Sequence, residues 1–155
     1  LKRADIIVFT KSEEMQPHKK VLNHAKKTKL PIFYSSVKLS GFSKNDSTIH
    51  EPAPNTRALA VSAIADPRSF YKSLESTSID VVSKISFFDH YEFKQTDIDN
   101  FKETLEKNNA ELIVTTEKDL VRLSGLNLNG VEVYTLNIEF SLDDEGVDYL
   151  NSFLN

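Results

Sequence analysis

Six short runs of apolar, largely β-branched residues recur along the chain, separated by stretches of helical periodicity or loop composition. The runs cover residues 5–10 (DIIVFT), 32–37, 57–64 (RALAVSAI), 79–87, 111–115 (ELIVT) and 131–136. DIIVFT, RALAVSAI and ELIVT lack the polar alternation of a strand with one wet face. Continuous apolar runs of this length read as strands covered on both sides, the habit of parallel sheets. The stretches between them supply the covers. Residues 17–29 carry Val21, Leu22 and Ala25 in a narrow stripe behind Pro17. Asp66-Pro67 reads as an N-cap with Pro at the first helical position, opening a helix with Phe70, Tyr71 and Leu74 inward. Residues 96–108 place Ile98, Phe101 and Leu105 on one face, with Thr96 and Asp99 spaced as a capping box. Thr116 and Asp119 open a shorter helix with Leu120, Val121 and Leu123 that ends near Gly125, and residues 146–154 carry Val147, Leu150 and Leu154. The expected fold class is therefore α/β, a mostly parallel sheet with helices on both faces and right-handed crossovers. Residues 40–56, polar and holding Gly41, Pro52 and Pro54, read as an excursion loop with a short hairpin around Asn45-Asp46.

Composition narrows the function. The 155 residues fit one domain, and no linker clearly divides them. A formal charge of −4 gives no bulk attraction for nucleic acid, and no interleaving of basic and aromatic residues suggests it. With no Cys, disulfides, thiolate zinc and cysteine nucleophiles are excluded. No apolar run approaches the ~18 residues of a membrane span. None of Gly41, Gly125, Gly130 and Gly146 belongs to a G-x-x-x-x-G-K-[ST] loop, and no G-x-G-x-x-G, H-E-x-x-H or G-x-S-x-G is present. The chain opens on Leu1 and enters an apolar run by Ile6, which reads as a piece of a longer protein.

Ligands of open α/β sheets bind beyond the carboxyl ends of the strands. Four segments follow strands there: Thr10-Lys11-Ser12-Glu13, Ser62-Ala63-Ile64-Ala65-Asp66-Pro67, Phe88-Asp89-His90-Tyr91-Glu92-Phe93 and Thr115-Thr116-Glu117-Lys118-Asp119. Asp89-His90 offers an imidazole beside a carboxylate, suited to proton handling or to orienting an acid, although a His among aromatics is also an ordinary packed residue. Thr116, Glu117 and Lys118 open a helix whose N–H groups and Lys suit an anion, or simply form a capped, solvated end. The cationic stretch His18, Lys19, Lys20, His24, Lys26, Lys27 and Lys29 suits anionic lipid, or is one wet helix face.

Four blocks stand in a telling order: LKRADIIVFTK at residues 1–11, IADPRSF at 64–70, FDHYEF at 88–93 with Asp97-Ile98, and TTEKDLVRL at 115–123. Together they resemble the C-terminal half of the tetraacyldisaccharide 4′-kinase family, over residues 1 to about 136. The resemblance implies a Rossmann-like, P-loop-kinase-type sheet. It also implies ATP- and Mg2+-dependent phosphorylation of the 4′-hydroxyl of the tetraacyldisaccharide 1-phosphate precursor in lipid A biosynthesis, at the cytoplasmic face of the bacterial inner membrane. In that family the phosphate-binding loop, the magnesium carboxylates and the membrane-associating segment lie in an N-terminal half. ATP and Mg2+ would be bound mainly by that half, and these residues alone would be soluble and inactive, with no metal ligand of their own. The implied partners are the lipid A disaccharide precursor and the missing P-loop half. His90 matches the family histidine that partners an aspartate from that half; it would orient or charge-tune the base, with Asp89 fixing the imidazole tautomer. Thr116, Glu117 and Lys118 would stand on the nucleotide or substrate side. Ala63 departs from a usual Gly, and Tyr91 stands where a second His is common. The alternatives are a stand-alone, non-catalytic α/β binding or interaction domain, and an unrelated hydrolase using Asp89-His90.

Overall fold

In the third strand of the chain, Ala58 and Ala60 face one side, Leu59 and Val61 the other, and all four are fully buried. That alternation requires a cover on both faces, and the structure, a computed structural model describing residues 4–10, 19–44 and 49–154, supplies it. The elements are β1 (Ile7–Phe9), α1 (Lys19–Lys27), β2 (Ile32–Lys44), β3 (Arg57–Ser62), α2 (Pro67–Glu75), β4 (Asp80–Ser86), α3 (Gln95–Lys107), β5 (Leu112–Thr115), α4 (Glu117–Leu123), β6 (Val133–Leu142) and α5 (Asp144–Leu154). They gather into two compact units, Leu39–Asn137 and Leu1–Lys38 with Ile138–Asn155, and β2 and β6 run through both.

The larger unit, Leu39–Asn137, has the strand order β2-β6-β5-β3-β4. β3 pairs in parallel with β4 and β5, and β5 in parallel with β6. Ser43 meets Thr135 while Lys44 reaches Glu132, so β2 runs opposite to β6 at that edge. On one face Ala58, Ala60, Leu112 and Val114 pack with Phe70 and Leu74 of α2. On the other, Leu59, Val61 and Ile113 pack with Ile98, Phe101 and Leu105 of α3 and Leu123 of α4. The α/β, mostly parallel sheet covered by helices on both faces is thus realised here. At the amino end of β3, the Arg57 guanidinium donates to the carbonyls of Asn108 and Asn109 and ties the C-terminal end of α3 to the start of that strand.

In the smaller unit β1 pairs in parallel with β2, Ile7 opposite Ile32. Asp143 caps α5 by accepting from Gly146 N at 3.0 Å, and its other oxygen accepts from Tyr34 N at 3.0 Å. Gly146 lies so close to Phe33 that a Cβ there would stand 3.1 Å from the ring.

Several boundaries differ from the sequence reading for physical reasons. Residues 40–44 are strand, not loop. Gly41 turns the strand at φ +105°, Phe42 enters the core, and the buried Ser43 hydroxyl pairs with Thr135 Oγ1 at 2.7 Å. An antiparallel bridge between Ser43 and Ile49 closes the base of the expected hairpin, while Asn45-Asp46 lie outside the described residues. α3 is capped two residues earlier than Thr96 and Asp99 suggested: Asp97 accepts from Lys94 N at 2.8 Å. Val121 is 73% exposed, because α4 turns Leu123 inward instead. Val21 of α1 and Val147 of α5 are also exposed. Pro17, His18 and Lys11-Ser12-Glu13 lie outside the described residues, as does the Leu154 side chain. No described helix is long and apolar enough to cross a membrane.

Candidate functional site

Parallel pairing puts the carboxyl ends of β3, β4 and β5 on one rim of the larger unit. Ala63, Asp89-His90 and Thr116 follow those ends. Between them stands a polar network centred on Asp119, which is fully buried. Its Oδ2 accepts from Ala63 N at 3.0 Å and from Thr116 Oγ1 at 2.8 Å. Its Oδ1 accepts from Arg122 Nη1 at 2.9 Å. Arg122 Nη1 also donates to Ala63 O at 3.0 Å, and Arg122 Nη2 stands 3.3 Å from His90 Nδ1. A buried carboxylate is tolerable only when paired and fully hydrogen-bonded, and this one is.

The sequence places these groups by simple local rules. Thr116 is the N-cap of α4; its hydroxyl accepts from Asp119 N at 3.2 Å. Asp119 and Arg122, three apart, share one helix face and meet. His90 has φ +63°, in the left-handed region, and its N–H is met by Asp89 Oδ1 at 3.0 Å. That turn reverses direction between neighbours, sending His90 outward and Tyr91 inward. The Tyr91 ring stacks on Phe87 at 4.3 Å and its hydroxyl donates to Asp97 Oδ2 at 3.1 Å. Burial, and then the Asp97 carboxylate, pushes the Tyr91 phenol above its ordinary pKa. The His90 side chain is 83% exposed; its Nε2 is 3.6 Å from Asp89 Oδ2, an ion-pair distance but too long for a hydrogen bond.

Of the residues singled out from the sequence, Asp89, His90 and Thr116 join this rim, and Arg122 and Asp119 link them. Glu117 and Lys118 are exposed on the first turn of α4. Thr10 follows β1 in the other unit. The cationic residues of α1 are exposed. Sequence reasoning passed over Arg122; the signal was its i, i+3 spacing from Asp119 behind a capping Thr. Among the described residues no group of three or more His, Cys, Asp or Glu gathers as a metal site. Asp119 is already taken up by N–H and O–H donors, so it does not fit as a magnesium ligand. Thr116→Ala is expected to cost about 1–2 kcal/mol through the lost cap, whereas Lys118→Ala stays within about 0.5 kcal/mol. Urea unfolding of both variants checks the contrast, and equal costs would contradict the cap.

The fold and the rim define an α/β protein whose polar groups gather at the carboxyl ends of a parallel sheet. The family model for tetraacyldisaccharide-1-P 4′-kinase (LpxK) matches residues 1–155, and the chain belongs to that family. A protein named tetraacyldisaccharide 4′-kinase from Halothermothrix orenii is 28% identical, over 92% of this chain and 42% of its own length. One of the same name from Cytophaga hutchinsonii is 32% identical, over 78% and 35%. A crystal structure described as the "apo" form of LpxK from Aquifex aeolicus in complex with ATP shares the fold, with a TM-score of 0.57 and 22% identity, over 94% of this chain and 41% of that one. The chain thus spans less than half the length of these relatives.

Proposed function

We propose that these residues form the His90-bearing, C-terminal part of an ATP-dependent kinase that phosphorylates the 4′-hydroxyl of tetraacyldisaccharide 1-phosphate, the lipid A precursor, at the cytoplasmic face of the inner membrane. The observation that carries this reading is the exposed imidazole of His90, held on the carboxyl rim of the sheet by Asp89 and Arg122 in a chain of this family. Phosphoryl transfer asks mainly for positioning, charge stabilisation and an acceptor for the hydroxyl proton. ATP, when bound, supplies the phosphoryl group. His90 orients a carboxylate contributed by a further, P-loop-bearing part of the protein, and that carboxylate receives the 4′-hydroxyl proton as the oxygen attacks the γ-phosphorus of ATP and the bond to the departing ADP breaks. Magnesium and membrane contacts belong to that further part. Thr116 keeps the rim in register through Asp119, while Glu117 and Lys118 stand toward nucleotide or lipid.

The test compares two preparations supplied with ATP, Mg2+ and tetraacyldisaccharide 1-phosphate. The complete reading frame that encodes these residues is expected to form the 4′-phosphorylated product. The 155-residue chain alone is expected to fold and to form none. Turnover by the 155 residues alone overturns the divided site, and no turnover by the complete protein favours a binding domain without catalysis.

A further inference from the structure

We propose that Arg122 is a positioning residue that fixes the neutral His90 imidazole as its Nε2–H tautomer, so that His90 meets its carboxylate as a hydrogen-bond donor. The proposal rests on the function proposed above for the activity, but its geometry stands independently of it. A guanidinium has five N–H donors, no acceptor, and does not lose its proton in proteins. When Arg122 Nη2 faces His90 Nδ1 at 3.3 Å, the ring nitrogen must therefore be the acceptor and carry the lone pair. A neutral imidazole has one N–H, which then sits on Nε2. The guanidinium is held in place on its other side: Nη1 donates both to buried Asp119 Oδ1 at 2.9 Å and to Ala63 O at 3.0 Å. The residue is constrained at its base by the left-handed backbone and by Asp89 Oδ1, which accepts from the His90 backbone N–H.

This arrangement divides the labour. The hydroxyl proton goes to the carboxylate, and Nε2–H, on the exposed edge, steadies that carboxylate. Lys cannot substitute, since one ammonium does not reproduce a planar fork aimed at a carboxylate, a carbonyl and a ring nitrogen at once.

The experiment is long-range 1H–15N correlation of the His90 ring in alkaline buffer, on the wild-type protein and on Arg122→Lys and Arg122→Met. In the wild type, Nδ1 is expected at the position of an unprotonated ring nitrogen and Nε2 at that of a protonated one. In either variant the two signals are expected to move toward each other as tautomers interconvert, with the rest of the amide spectrum retained. If the Met variant fails to fold, the Lys variant carries the test. A wild-type ring protonated at Nδ1, or ring signals unchanged in a folded variant, overturns the proposal. In the complete protein, Arg122→Lys is expected to lower kcat by up to about a hundredfold, the cost of a misplaced group, with KM for ATP unchanged. Shifted tautomers with full turnover leave the Arg122 clamp standing and overturn the kinase role of His90. Lost turnover with unchanged tautomers overturns the clamp alone.

Discussion

Asp119→Ala is expected to remove about 3–5 kcal/mol of folding stability, the usual cost of taking one partner from a buried ion pair. The carboxylate is fully buried, and three donors from three places in the chain converge on it: Ala63 N after β3, Thr116 Oγ1 before α4, and Arg122 within α4. Ala in its place leaves the Ala63 N–H without that acceptor and frees the guanidinium to swing away from His90. Asp119→Asn keeps one oxygen but turns an N–H group toward a donor, and about 1–3 kcal/mol is expected from the unmet bond. Urea unfolding of both variants checks the order, Ala worse than Asn. A cost under about 1 kcal/mol for the Ala variant would mean that the carboxylate is not the keystone of the rim.

Much of this was legible in the residues. RALAVSAI and ELIVT, apolar on both alternations, announce β3 and β5, and the Ile98, Phe101 and Leu105 spacing announces α3. What local pattern could not supply is long-range pairing. Ser43 looks like a loop residue until Thr135, distant in sequence, meets its hydroxyl. Asp97 looks like an ordinary first-turn acid until the Tyr91 hydroxyl and the Lys94 N–H converge on it. The same holds at the rim. Asp89-His90 and the Thr116 cap are visible as motifs, but their connection runs through Arg122, on another element, to the backbone of Ala63. Val121 stands among the apolar residues of its helix, but the phase of a seven-residue helix that buries Leu123 leaves it in solvent.

His90 carries the largest catalytic effect expected of any side chain in this unit. Groups that assist proton transfer contribute roughly 10²–10⁴-fold, and in this account His90 does so through the carboxylate it orients. Because the side chain is 83% exposed, its removal leaves the core untouched. Its left-handed backbone calls for a second variant that tolerates φ +63°, and Asn is several-fold enriched in that region. His90→Asn is therefore expected to unfold with the wild type and to differ from it only in turnover, whereas His90→Ala carries some backbone strain at that φ as well. The decisive measurement is the single-turnover rate of phosphoryl transfer from ATP to tetraacyldisaccharide 1-phosphate in the complete protein, for wild type and His90→Asn. The account predicts a loss of about a hundredfold or more. A change under about threefold, in a variant that folds normally, would contradict it and return His90 to an ordinary surface histidine.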